Sequence, residues 1–250
     1  MMSYLIETPF HETVVIDGGH PCEKDARHLY ETLMQRGAVV DLWLITHAHN
    51  DHYGVLYWML KNIDPFELSI KDIRFAFPPL EWLKSVENGS EYHMVSEFYQ
   101  LLETRGIVPN MLRAGDTIPL EGCTFDILSD CSDYSDYTTI NDTTSVILVH
   151  FPKKDVLFLG DLGPEAGRAL LSRCDPVKLR CDIVQMAHHG QRGVDRHFYE
   201  TVRPKVCLYP APDWLWDNNN GGGFDLGLWE TVRTREWMEE LGALVSCPSA

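Results

Sequence analysis

Three groups of residues carry most of the chemistry this chain could do. His47, His49, Asp51 and His52 fall within six consecutive residues, HAHNDH. Imidazole nitrogens and carboxylate oxygens are the donors that zinc, iron and manganese accept. On an extended backbone His47 and His49, two residues apart, point to the same side. Gly160-Asp161 follows the apolar run 156–159 (VLFL). A carboxylate at the end of a buried strand is costly unless it is paired or binds a cation. The competing role for Asp161 is to cap the helix expected from Pro164. His188-His189-Gly190 closes another apolar run, 183–187 (IVQMA). Of two adjacent imidazoles, one can bind a metal while the other gives a proton or a hydrogen bond; a structural pair is the alternative. Asp17, before Gly18-Gly19, either orients a ligand histidine or serves as a polar turn residue.

Elements must deliver these groups. Residues 13–17 (TVVID) read as a strand. Residues 24–36 read as an amphipathic helix with Leu29, Leu33 and Met34 at helical spacing and Gly37 as its stop. Residues 41–46 (DLWLIT) read as a buried strand running straight into His47, with Asp51 and His52 at the start of a helix that continues through 55–61. Residues 72–77 predict a strand, and 80–105 a mostly helical stretch interrupted near Asn88-Gly89. Strands follow at 124–128, 145–151 and 156–159, with a hairpin turn over 152–155. A helix runs from Pro164 to Cys174, Pro being tolerated in a first turn. Strands at 182–187 and 206–209 precede a last helix over 229–241 with Gly242 as its cap. Residues 210–227, rich in Gly, Asn and aromatic residues, read as a long loop. Its Trp214, Trp216 and Phe224 either form a lid over a substrate or pack against the last helix. Strands and helices alternate at both ends around a strand-rich middle. That predicts an α/β architecture as one domain over residues 1–250.

Composition narrows the functions. The chain has 21 basic and 37 acidic residues, a net charge of −16. Such a surface repels phosphate backbones, so strong non-specific nucleic-acid binding is not expected. No stretch approaches the ~18 apolar residues of a membrane helix, so no membrane association is expected. The first fifteen residues carry no basic segment and no long apolar core, so no export signal is expected. The seven cysteines are dispersed without a Cys-x-x-Cys pair. They predict reduced core thiols in a cytoplasmic protein. His11, His20, His28, His93, His150 and His197 stand alone and read as surface or satisfied core residues.

The order of these motifs resembles the metallo-β-lactamase-fold hydrolases. The residues that carry the likeness are 15–19 (VIDGG), 44–54 (LITHAHNDHYG), 114–116 (AGD), 141–146 (NDTTSV), 157–161 (LFLGD) and 187–190 (AHHG). Within that family they look like the soluble hydrolase domain of bacterial DNA-uptake channels and its free-standing relatives. The resemblance implies a four-layer αββα sandwich with one or two divalent ions at one edge. Zinc is the leading candidate; manganese and iron are also accepted. It assigns His47 and His49 to one ion, Asp51, His52 and one of His188 or His189 to the other, and Asp161 to both. The remaining histidine of the pair is the candidate general acid, beside Asp51 in the catalytic set. Asn141 stands where many relatives have a third histidine for the first ion. Its neutral oxygen is a weaker zinc ligand than imidazole. The implied activity is metal-dependent hydrolysis of a phosphodiester or other phosphate ester, small or nucleotide-like. The alternatives are ester, thioester or amide hydrolysis, β-lactams included, and a metal-stabilised interaction domain without turnover.

Overall fold

A strand that the sequence does not announce opens the described chain. In the computed structural model, which describes residues 2–247, β1 (Ser3–Glu7) runs antiparallel to β2 (Thr13–Asp17), pairing Ser3 with Asp17 and Glu7 with Thr13. β1 is only half-buried, which is why its apolar pattern is weak. Every residue of β2 is buried. Branching at Cβ suits Val14, Val15 and Ile16 to such a strand. α1 (Glu23–Gln35) buries Ala26 and Leu33. Gly37, at φ +104°, ends it with an N–H donated to the Met34 carbonyl. β3 (Val39–Val40), β4 (Leu42–Ile45), α2 (Asn50–Asn62), β5 (Ser69–Ile70), β6 (Ile73–Phe75), α3 (Leu80–Ser85), α4 (Tyr92–Thr104) and β7 (Asn110–Met111) follow. The expected helical break is real: a 3-10 turn, Glu87–Gly89, separates α3 from α4.

Two units divide the chain. The first takes residues up to 113 with 120–122 and 131–143; the second takes 114–119, 123–130 and the chain from 144 on. In the first unit the sheet order is β1-β2-β4-β6-β7, and all neighbours from β2 to β7 are parallel. Parallel neighbours need crossovers, which the helices provide. Its core packs Trp43, Tyr53, Phe75, Phe77 and Phe98 under α2 and α4. β3 and β5 form a separate parallel pair.

The second unit holds β8 (Thr117–Leu120, whose last residue is counted with the first unit), β9 (Cys123–Ile127), β10 (Ile147–Phe151), β11 (Lys154–Phe158), α5 (Pro164–Arg173), β12 (Ile183–Gln185), α6 (Arg196–Val202), β13 (Val206–Leu208), α7 (Asp213–Trp216), α8 (Thr231–Glu240) and β14 (Leu244–Ser246). The strands lie in sequence order, antiparallel from β9 to β11 and parallel from β11 to β14. The expected hairpin turn shrinks to Pro152-Lys153, because Lys154 and Asp155 already pair with Phe151 and His150. The expected loop at 210–227 is not all loop, since it contains α7. Both units are sheets flanked by helices, the α/β class expected from the sequence. All seven cysteines are free thiols. Among the described residues no helix is long and apolar enough to cross a membrane.

Candidate metal centre

In the first unit the donors come from the carboxyl ends of β2 and β4, where parallel sheets usually place their ligand sites. β4 ends at Ile45, and His49 is the extended residue that caps α2. His47 Nε2 and His49 Nδ1 are 3.1 Å apart. The opposite nitrogen of each ring is consigned to an acceptor. His47 Nδ1 lies 3.1 Å from the Thr46 hydroxyl, and His49 Nε2 lies 2.8 Å from Glu87 Oε2. His52, in the first turn of α2, directs Nδ1 at Asp17 Oδ2, 2.9 Å away, while its Nε2 is 3.9 Å from Asp51 Oδ2. The His47 and His52 rings stand 4.1 Å apart between centroids.

Asp17 orients this set. It is fully buried at φ +59°, accepts the Thr46 N–H at 2.8 Å, and accepts the Thr46 hydroxyl as well. Burial raises its carboxyl above the ordinary aspartate range, opposed by His52 and the bonds from Thr46. Because the Thr46 hydroxyl donates to Asp17, it accepts from His47. Of the two roles the sequence left open for Asp17, the geometry selects the orienting one. Asn141 begins a 3-10 turn (Asn141–Thr143) in the same unit, and the Ile140 N–H just before it donates to Glu87 Oε1 at 2.9 Å.

In the second unit Asp161 lies just past β11, 2% exposed. His188, His189 and Gly190 are three consecutive left-handed residues, with φ of 51°, 56° and 84°. Gly190 must be glycine: a Cβ there would lie 2.3 Å from the Tyr209 ring. His189 Nδ1 is 3.1 Å from the Pro210 carbonyl and His188 Nδ1 is 2.9 Å from the Arg192 carbonyl. A carbonyl can only accept, so both rings carry the proton on Nδ1 and keep the lone pair at Nε2. Those Nε2 atoms stand 3.5 Å (His189) and 3.8 Å (His188) from Asp161 Oδ2. His189 is buried and His188 is a quarter exposed at its side chain.

The donor sets fit a divalent cation. Each of the five imidazoles gives one N–H to the protein and turns the other nitrogen toward further imidazole or carboxylate donors, the pattern of metal-ligating histidines. Two nitrogens bound to one zinc at ~2.0–2.1 Å stand roughly 3.3 Å apart in a tetrahedral shell. The His47–His49 spacing of 3.1 Å is close to that.

A family model described as the metallo-beta-lactamase superfamily matches residues 2–241. The chain belongs to the metallo-beta-lactamase superfamily. Solved structures of the same fold include CmlA, a diiron beta-hydroxylase from Streptomyces venezuelae. It is 13% identical with a TM-score of 0.56, over 97% of this chain and 50% of that one. The chain thus spans half the length of CmlA. The metallo-beta-lactamase fold protein YhfI from Bacillus subtilis is 10% identical with a TM-score of 0.53, covering 98% of this chain and 88% of that one. At these identities the likeness concerns the fold of the superfamily. No curated protein matches the chain in sequence.

Several residues that serve these motifs were not singled out in the sequence. Glu87 and Glu91 come from the break between α3 and α4. Glu91, nearly buried, accepts from Asn50 Nδ2 at 2.8 Å, and Asn50 Oδ1 in turn lies 3.1 Å from His20 Nδ1. His20, expected to stand alone, therefore touches the HAHNDH turn. Gln185 is fully buried. Its Oε1 accepts the Leu159 and Gly160 N–H groups, and its Nε2 donates to the Gly160 and Met186 carbonyls. A lone glutamine inside the apolar run IVQMA was the available signal, because a buried amide must find partners.

The lid reading fares less well than packing. Trp216 lies edge-on to Tyr209 and carries the Arg235 guanidinium of α8 at 3.9 Å from its ring centre. Trp214 packs on Trp229. Only Phe224 of the three is mostly exposed, at 63%.

Proposed function

We propose that this superfamily member is a metal-dependent hydrolase acting on a phosphodiester or other phosphate ester, small or nucleotide-like. The observation that carries the reading is the tautomer pattern: the protein binds one nitrogen of every clustered imidazole, as metal ligands require. In this reading His47 and His49 hold one ion, with Asn141 as a weak neutral ligand. Asp51, His52 and His189 hold a second, and Asp161 serves both. When bound, divalent ions supply an activated water and neutralise charge developing on the ester oxygens. The side chains do the rest. Asp17 and the Pro210 carbonyl fix the rings of His52 and His189. His188, more exposed than His189, is held through Nδ1–H by the Arg192 carbonyl, and its Nε2 lone pair would take up the proton that it passes to the leaving oxygen.

The phosphate-ester preference draws on the likeness of 141–146 and 157–161 to the DNA-uptake hydrolase domain. The net charge of −16 favours a small substrate over a long polyanion, and no membrane partner is invoked. Seven free thiols suit the cytoplasm.

The test compares wild type with Asp51→Ala for bound metal by elemental analysis. Both proteins are then assayed on bis-p-nitrophenyl phosphate, nitrocefin and a thioester, with zinc, manganese or iron added. Phosphodiester hydrolysis that falls at least about 100-fold in the variant, as removal of a ligand to a catalytic metal predicts, supports the proposal. Equal metal content and equal activity in both proteins sink it. Turnover of nitrocefin or the thioester alone transfers the chain to the acyl-transfer reading. Full metal loading without any turnover transfers it to the interaction-domain reading.

A further inference from the structure

The connection between α3 and α4 bends through an unusual backbone. Glu87, Asn88 and Gly89 all have left-handed φ, at 49°, 58° and 69°. Only the glycine adopts that conformation at no steric cost. A strained run of this kind persists where the surrounding contacts hold it, and such runs concentrate at functional sites. Here the bend aims one carboxylate in two directions. Glu87 Oε2 lies 2.8 Å from His49 Nε2, and Glu87 Oε1 accepts the Ile140 N–H at 2.9 Å. One side chain thus ties an imidazole of the HAHNDH motif to the segment that leads into Asn141.

We propose that Glu87 is a positioning residue that holds His49 in its Nε2–H tautomer, so that Nδ1 is the nitrogen offered to the metal, and that fixes the start of the Asn141 turn against the same group. The proposal rests on the reading of His49 as a ligand given above. An ionised carboxylate only accepts, so His49 must place its proton on Nε2 to make this bond. Its lone pair then sits on Nδ1, the atom 3.1 Å from His47 Nε2. Such a carboxylate–histidine pair also raises the electron density of the ring. That compensates a first site whose third ligand is the weak donor Asn141 rather than an imidazole. The 3-10 turn at 87–89 is therefore a delivery device for a carboxylate.

The test uses the full chain, first metal-free and then titrated with zinc. Long-range proton–nitrogen NMR of the histidine rings reads the His49 tautomer directly, without any metal or activity. Wild type is expected to show a single Nε2–H form. Glu87→Ala is expected to show mixed tautomers and about 10–100-fold weaker binding of the ion assigned to His47 and His49, the usual cost of losing such a partner. Glu87→Gln keeps the side-chain length but offers one acceptor oxygen to the two N–H groups of His49 and Ile140, so it is expected to recover the Nε2–H form in part and to bind zinc with an affinity between those of wild type and Glu87→Ala. A folded Glu87→Ala chain with an unchanged His49 tautomer and unchanged zinc binding overturns the proposal. So does a Glu87→Gln chain that shows the Nε2–H form but binds zinc no better than Glu87→Ala. A wild-type chain that takes up no ion yet shows the fixed tautomer overturns the proposed function while supporting the hold of Glu87 on His49.

Discussion

The two units hold their histidines by different means. In the first, the orienting acceptors are side chains: the carboxylates of Asp17 for His52 and Glu87 for His49, and the Thr46 hydroxyl for His47. In the second they are main-chain carbonyls, of Pro210 for His189 and of Arg192 for His188. A carboxylate adds a charge to the ring it binds; a carbonyl adds only a dipole. The first unit therefore tunes its donors through single side chains, which substitution can delete. The second sets its donors by the path of the backbone, which only a change of backbone geometry can disturb. Both units pay in left-handed residues for this placement: Asp17 and Glu87 in one, His188 and His189 in the other.

This contrast can be broken in order of expected effect. Gly190→Ala introduces a Cβ at 2.3 Å from Tyr209 on a backbone at φ +84°. Overpacking and strain together predict a loss of about 3–5 kcal/mol, read as a fall in the denaturation midpoint, with metal uptake lost alongside. A loss below about 1 kcal/mol would show that the His-His-Gly path is not rigid. Gln185→Met keeps the volume but strips three buried backbone groups, the Leu159 and Gly160 N–H and the Met186 carbonyl, of their partner, while the Gly160 carbonyl keeps the His188 N–H. Unsatisfied groups at about 1–3 kcal/mol each, partly relieved by relaxation, predict a net loss of about 2–4 kcal/mol. Unchanged stability in urea would remove Gln185 as the tie between the Gly160 turn and β12.

Asp17→Ala tests the side-chain half of the contrast. It is expected to weaken binding of the ion assigned to His52 by about 10–100-fold and to weaken the ion assigned to His47 and His49 less, through the Thr46 hydroxyl that Asp17 also holds. Isothermal titration resolves the two, and equal weakening of both would mean that Asp17 serves the fold rather than one ring. The smallest effect is expected at Phe224, whose ring is mostly solvent-exposed. Phe224→Ala is expected to change stability by less than about 0.5 kcal/mol and to leave KM unaltered. A tenfold rise in KM would restore the lid role that Trp214 and Trp216 have surrendered to packing.

Legibility followed contiguity. HAHNDH could be read directly because its donors lie within six residues at the end of one buried strand, where chain direction alone brings them to one place. Gly160-Asp161 and His188-His189 were legible as polar residues closing apolar runs. β1 and β7 were not, since a half-buried edge strand of five residues and an exposed one of two leave little hydrophobic pattern. The break at Asn88-Gly89 was visible as an interruption, but not as the source of Glu87 and Glu91.

The sequence by itself determined the donor types, their places at strand ends, the α/β class and the likeness to the superfamily, because those properties are local or follow the order of motifs. Tertiary structure alone decided which nitrogen faces its neighbours in the rings of His52, His49 and His189; His47 and His188 take their acceptors from Thr46 and Arg192, close by in the chain. The acceptors that make the choice lie 35 residues from His52, 38 from His49 and 21 from His189. A hydrogen bond acts over about 3 Å, so a partner so distant along the chain exists only once the fold has closed.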